Sequence, residues 1–454
     1  MQLAQSVSRV LDDGTTHWTP AAATEPGTAT TVQATLLQDA VGQVLILMPA
    51  DALLDLEALN RFSGRELLAA DEAAVAACCA AHGLPSLPAL PRVLPLPVIA
   101  DRSLCSRGEL ELDAAGVRIR MPAAHFAALL EHETCSSAGF CVALSVIDPG
   151  SIDASDDDDD IGNAVARFTS RRIERRLEDT LDFPPLPEIA HRIIRISADP
   201  YASVSDLARV VEIDPGLAAQ VVSWASSPYY AAPGKVRSIQ DAIVRVLGFD
   251  LVMNLALGLA LGKTMRMSAD GAHGYRAYWV QAVHGAAMAE GLAKAMPSTL
   301  RPPLGYVYLS GLLHNFGALI LGELFKPQMQ LVCRYADANP HLGHWYVERF
   351  LLGVTREQMA ARLMRFWHLP EAVCAALRFQ HAPEQAGEHE TAARVLQVAT
   401  RLLRQHGIGS APLEPLPEQA FAALGIDHDA ALEVSEHIRS AREQLAAIAR
   451  DLAA

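Results

Sequence analysis

Strand-period patterns in this 454-residue chain are confined to the part before a run of five aspartates, Asp156 to Asp160, and helical patterns fill almost everything after it. Period-two stretches build sheets and 3.6-period stretches build helices, so a chain divided this way must fold as at least two dissimilar parts. The expected organisation is an α/β unit at residues 1–132, an acidic linker at 133–163 and an all-helical unit at 164–454. The length agrees, because single cores rarely grow much beyond 250 residues.

In the first part, Thr30 to Leu37 alternates and Val44 to Met48 is continuously apolar, with Gln38-Asp39 as the turn between them. Helices are expected over Leu53 to Phe62 and Ala69 to His82, and further strands over Val98 to Leu104 and Val117 to Met121. The segment Gly83 to Pro97 carries five prolines and cannot be helix interior. Five adjacent carboxylates repel one another, so Asp156 to Asp160 is expected to be a solvated tether or exposed loop; the alternative is a site for a divalent cation or a basic partner. The basic stretch Arg171, Arg172, Arg175 and Arg176 is expected to answer that acidic run, with a small anion or partner site as the alternative.

Beyond it, helix starts are marked by Ser205 with Asp206, by Asp214-Pro215 and by Ser238. Single helices are expected over Gly305 to Phe325 and Ala430 to Leu452, with others at Tyr278 to Ala295, Arg356 to Trp367, Glu371 to Gln380 and Ala392 to His406. His341 and His344, beside Asn339-Pro340, are expected at the surface. The most apolar run, Val244 to Leu261, contains Arg245, Asp250 and Asn254; a bilayer tolerates these poorly, so a core helix is expected and no membrane partner.

The formal net charge of -15 argues against DNA and, more mildly, against tRNA as a partner. Seven cysteines without a CxxC pair point to reduced thiols and a cytoplasmic protein, and the first residues lack the charged start and apolar core of a signal peptide.

The ordered motifs Phe183-Pro184-Pro185-Leu186-Pro187, Ile213-Asp214-Pro215-Gly216-Leu217, Ser238 to Ile243 with Leu247-Gly248, Gly311-Leu312-Leu313-His314-Asn315-Phe316-Gly317, Trp367-His368-Leu369-Pro370 and Gln380-His381-Ala382-Pro383 resemble the HDOD family, the HD-related output domains of bacterial signalling proteins. The resemblance covers about Leu181 to His406. It implies an all-helical domain related to metal-dependent HD phosphohydrolases but generally not catalytic. An HD enzyme holds its metals through several His, an adjacent His-Asp pair and a later Asp, which together make a bound water acidic enough to attack phosphate. The corresponding positions here are His284, the pair His314-Asn315, Arg356 where a later His belongs, His381, and Thr400 where the late acid belongs. Asn315 is neutral and Arg356 is a cation, so these are degenerate positions and no catalytic residue, metal or other cofactor is expected. One metal held by the imidazoles of His284, His314 and His381 alone is the alternative to simple hydrogen-bonded side chains.

Thr28 to Leu130 resembles the YbaK/prolyl-tRNA-synthetase-associated family of aminoacyl-tRNA deacylases, on Val32 to Leu37, Val44 to Pro49 with Leu53 to Leu59, and Val98-Ile99-Ala100-Asp101-Arg102-Ser103-Leu104. The lysine that positions substrate in that family corresponds to Ala34, and no lysine occurs before Lys235. The pocket loop falls in the segment holding Gly83, Pro85 and Pro88, with departed spacing. The resemblances together imply a regulatory protein of two pseudo-enzyme domains that senses a small-molecule ligand and contacts protein partners in a signalling pathway. The rivals are trans-editing of mischarged tRNA by the first domain and metal-dependent phosphohydrolysis by the second.

Overall fold

The computed structural model describes residues 4–11, 17–21, 29–147, 157–170, 185–197, 199–230, 234–264, 273–410 and 416–453. The chain divides into two compact units, Met1–Pro149 with Gln330–Phe350, and Gly150–Met329 with Leu351–Ala454.

The first unit is built on a mixed sheet. Its strands are β1 (Thr19–Pro20), β2 (Thr30–Gln38), β3 (Gln43–Pro49), β4 (Ala52–Leu54), β5 (Leu68–Ala69), β6 (Val98–Asp101), β7 (Glu109–Asp113), β8 (Arg118–Pro122), β9 (Cys135–Ala138) and β10 (Cys141–Ala143). The main order is β1-β8-β7-β2-β3-β6-β9, with β5 beside the end of β2, while β4 and β10 pair separately. The hairpin β2–β3 fixes the register, setting Ala34 opposite Leu47 and Leu37 opposite Val44. Every residue from Val44 to Pro49 is buried, the pattern of a central strand covered on both faces. Parallel pairing of β6 with β3 and of β9 with β6 then extends the sheet.

Two departures from the expected boundaries follow. Strands β9 and β10 continue this unit through Ala143, so residues 133–143 belong to the sheet domain and not to a linker. They are held by Asp101, a buried carboxylate whose Oδ2 accepts from the amides of Phe140 (2.9 Å) and Cys141 (3.0 Å). Residues 330–350 also belong to this unit rather than to the helical one. There Asn339 Oδ1 accepts from the Leu54 amide (2.7 Å) and its Nδ2 donates to the Leu54 carbonyl (3.1 Å), completing the edge of β4 like a third strand. The Tyr335 hydroxyl donates to Asp55, the N-cap of helix Leu56–Ser63. His341 is not at the surface: its Nε2 lies 3.1 Å from the Ala52 carbonyl oxygen and burial pushes its pKa down to about 4.

The second unit is helical throughout its described residues. Ser203 with Asp206 forms a capping box for helix Val204–Val211, two residues before the expected Ser205, and Asp214 caps helix Pro215–Ala225. Beyond Ser238 the backbone makes one short α-turn and then a π-helix, Ala242–Leu247, ended by Gly248. The apolar helix Phe249–Gly262 is buried over Val252 to Gly262, as a core helix should be. The stretch Leu304–Leu324 has the length and apolarity of a bilayer span, but 89% of its most apolar window is buried inside the protein.

That stretch breaks at His314 and Asn315 into helices Leu304–Leu313 and Phe316–Leu324. The expected C-terminal helix is likewise two, His428–Ser440 and Arg442–Ala453, parted at Ala441. Helix Leu304–Leu313 crosses helix Tyr275–Ala295 at two glycines: a Cβ on Gly311 would lie 2.5 Å from the Gly285 carbonyl oxygen. No side chain fits at that crossing.

The acidic run is neither a tether nor a loop. Asp157–Asp160 is the first turn of helix Asp157–Ser170, where carboxylates meet the positive end of the helix dipole, and Asp157 is buried. Asp156 and the arginines 171, 172, 175 and 176 lie outside the described residues, as does the Phe183-Pro184 start of the proline motif. None of the seven cysteines, all of them among the described residues, forms a disulfide.

Candidate functional site

The break between helices Leu304–Leu313 and Phe316–Leu324 places His314 and Asn315 where three other helices converge. His314 Nδ1 lies 2.8 Å from the Gly311 carbonyl oxygen, and its own carbonyl accepts from Gln380 Nε2 (3.0 Å). The imidazole lies against Gly285, whose missing Cβ would be 2.9 Å from His314 Nδ1. Gly285 therefore serves the site as well as the helix crossing.

Asn315 stands at the centre of a three-residue polar chain. Its Nδ2 donates to Gln281 Oε1 (2.8 Å), and its Oδ1 accepts from the Arg356 guanidinium (2.8 Å). Asn315 and Arg356 are both buried. Arg356 opens helix Arg356–Phe366, which Thr355 and Gln358 cap reciprocally, and its backbone presses on Gly317: a Cβ there would lie 2.0 Å from the Arg356 carbonyl oxygen. The two glycines of Gly311-Leu312-Leu313-His314-Asn315-Phe316-Gly317 thus admit one helix on each side of the His-Asn pair.

His381 Nε2 lies 3.4 Å from Glu357 Oε1, the residue after Arg356. Thr400 turns away, its hydroxyl donating within its own helix to the carbonyls of Leu396 (3.0 Å) and Gln397 (3.1 Å). His284 is buried, with Nδ1 2.7 Å from the Val280 carbonyl oxygen and Nε2 without a hydrogen-bond partner. Burial first, opposed by the Val280 contact, lowers its pKa, so the ring is neutral near pH 7.

Of the sequence-predicted positions, the fold thus gathers His314, Asn315, Arg356 and His381 around one helix junction. His284 is one residue from the Gly285 that packs on His314, and Thr400 bonds only its own helix. Gln281, Glu357 and Gln380 complete the cluster and were missed. Gln281 was findable, since it lies one turn before His284 on the same helix.

A divalent metal pair does not fit this donor set. The oxygen at the acid position is a neutral amide already bonded to a guanidinium, which carries positive charge into the place a metal would need. Among the described residues, neither His284 nor His314 belongs to any cluster of three His, Cys, Asp or Glu ligand atoms. Chemically the junction is a set of amides, imidazoles, one carboxylate (Glu357) and one fixed cation, suited to holding helix ends and polar groups.

In the first unit, Ala34 is half-buried on β2 and packs against the core. Gly83 takes the left-handed turn after helix Glu72–Ala81 (φ 64°). Pro85 lies against Gly116, and Pro88 is buried. Gly83 and Pro85 are exposed, and next to Pro88 the Ala89 amide donates to the Asp113 carbonyl (2.7 Å).

The HDOD domain model matches residues 183–383. A crystal structure of a "Putative signal transduction protein" from Marinobacter aquaeolei VT8 is similar over 100% of both chains, at 38% identity and TM-score 0.89. An HDOD domain protein of unknown function from Geobacter sulfurreducens matches 63% of this chain and 99% of its own at 22% identity and TM-score 0.50, a likeness of fold. An uncharacterized Treponema pallidum protein is 24% identical over 255 residues, 56% of this chain; this chain spans about half, 48%, of that relative's length.

Proposed function

This chain belongs to the HDOD-domain family, and we propose that it is a non-catalytic signalling protein that works by sensing a ligand and contacting other proteins. The observation that carries this reading is the bond from the Arg356 guanidinium to Asn315 Oδ1 at 2.8 Å. Hydrolysis of a phosphate ester in an HD site needs a metal-activated water, and here the position of the acid ligand is neutral and already engaged by a cation. The full-length likeness to a protein named for signal transduction supports the same reading.

The first unit is, on this reading, a degenerate YbaK-like domain that has kept a mixed α/β fold and lost the substrate-positioning lysine at Ala34. Small molecules or an aminoacyl group are its candidate ligands. The protein works in the cytoplasm, with a protein partner and without DNA, membrane or cofactor.

The test is elemental analysis of the purified, unchelated protein, with phosphodiesterase activity assayed on the same sample. Iron, manganese or zinc near one per chain together with turnover would restore an HD enzyme and defeat the proposal. Trans-editing of mischarged tRNA by the same preparation would establish the deacylase rival. Neither metal, turnover nor deacylation is the expected result.

A further inference from the structure

The first eight residues of helix Asp157–Ser170 meet the helical unit through one face. In its first eight residues only Asp157, Ile161 and Ala164 are buried, at i, i+4 and i+7 on one face. Asp157 is gripped by a fork: Arg378 Nε donates to Oδ2 (2.6 Å) and Arg378 Nη2 to Oδ1 (2.7 Å). Both side chains of this pair are 9% exposed. Gln358 Nε2 adds a donor to Asp157 Oδ1 (2.8 Å) and reaches Asp160 Oδ2 (3.3 Å), and Arg362 pairs with Asp158 (3.2 Å).

Everything on the receiving side is a donor, and everything on the incoming side is a carboxylate. The seat is also tied to its own elements: Gln358 Oε1 caps its helix by accepting from the Thr355 amide, and the Arg378 guanidinium lies over the Phe379 ring at 5.0 Å. A buried, bidentate ion pair contributes little net stability, because desolvation offsets the attraction; what it gives is discrimination between a matched and an unmatched partner. Within these eight residues Ile161 and Ala164 are the apolar anchors, and the charge pairing sets which helix start the seat accepts.

We propose that Arg378, Gln358 and Arg362 form an exchangeable docking site for an acidic helix start, filled in cis by Asp157–Asp160 and taken over by a partner whose helix opens with adjacent carboxylates. The proposal rests on the reading of this domain as a protein-contact module and names the chemistry of the contact. Exchange reaches the His-Asn junction directly: Gln358 is two residues from Arg356, and Arg378 is two residues from Gln380, which bonds the His314 carbonyl.

The experiment uses the full chain carrying Asp157→Arg, which sets like charges against each other at Arg378, and a fluorescently labelled peptide of residues 155–170. Fluorescence anisotropy is expected to give at least tenfold tighter binding to D157R than to the wild type, whose seat is occupied. Binding should weaken as salt is raised, and be lost when Arg378→Gln is added or when the peptide aspartates are replaced by asparagine. Equal binding to wild type and D157R, no binding to D157R, or indifference to Arg378→Gln would overturn the proposal.

Amide exchange provides the second arm, independent of peptide and of any D157R folding defect. Protection over residues 157–164 should return to the wild-type level in the charge-swapped pair Asp157→Arg/Arg378→Asp; failure to return counts against the seat. Because neither readout involves metal or turnover, a negative result here leaves the non-catalytic reading standing, and a catalytic result there leaves these binding data unchanged.

Discussion

Arg356 donates through its guanidinium to the side-chain oxygen of Asn315, 41 positions earlier in the chain, at 2.8 Å. The pair explains why an amide suffices where an acid would be needed for metal chemistry: a carboxylate beside a fixed guanidinium would be neutralised by it, whereas the amide accepts from Arg356 on one side and donates to Gln281 on the other.

Removing that cation should cost stability without touching any chemistry. Arg356→Ala leaves the Asn315 oxygen buried without this donor, and a loss of about 1–3 kcal/mol is expected. Urea unfolding followed by circular dichroism measures it, and Arg356→Lys, which supplies a donor without the planar fork, should recover only part.

Metal affinity should be recoverable only by changing both residues. Asn315→Asp alone would pair with Arg356 and bind no manganese, while Asn315→Asp with Arg356→His supplies an acid and an imidazole where the cation stood. Isothermal titration with Mn²⁺ is expected to detect binding in the double variant alone. Binding by the single variant would mean that Arg356 does not guard the position.

His341 makes the first unit acid-sensitive. Its folded pKa, about 4, lies below the ordinary 6.5, so the ring is neutral in the folded protein and the unfolded chain takes up the proton first. Stability from this residue is therefore complete above about pH 6.5 and is lost as pH falls toward 4, by up to about 3 kcal/mol. His341→Gln should flatten that part of the stability profile; a profile of unchanged slope between pH 6.5 and 4 would count against it.

Gly311→Ala should be strongly destabilising, since the new methyl would meet the Gly285 carbonyl oxygen at 2.5 Å and the Ala286 Cα at 2.7 Å. A loss of about 3 kcal/mol or more is expected, beyond the usual 1–3 for overpacking because backbone must move. Gly108→Ala, with nothing within 4 Å of the added carbon, is the control and should be near neutral. Thermal unfolding compares the two.

What the sequence made legible was local. The β2–β3 hairpin, the buried helix Phe249–Gly262 and the capping at Asp214 each depend on residues within a few positions of one another. What it hid was paired at long range. The five aspartates promise repulsion and solvent when taken alone, and it takes Arg378 and Gln358, 221 and 201 positions away, to turn Asp157 into a buried anchor. Strand β9 is short and pairs in parallel with β6 about 37 positions earlier, so no turn announces it. The break at His314-Asn315 was hidden for a different reason. Apolar residues flank the gap closely on both sides, and Gln380 and Arg356 bond to the two residues in it from far along the chain.

The return of residues 330–350 to the first unit has a consequence for how the protein is made. Leu54 receives its bonds from Asn339, so β4 is unfinished when the sheet strands up to Ala143 have left the ribosome. At roughly 5–20 residues per second, on the order of ten seconds or more of further synthesis must pass before that edge is closed. During that time the nascent sheet carries an open strand, and the cell's chaperones would meet it before the helical unit exists.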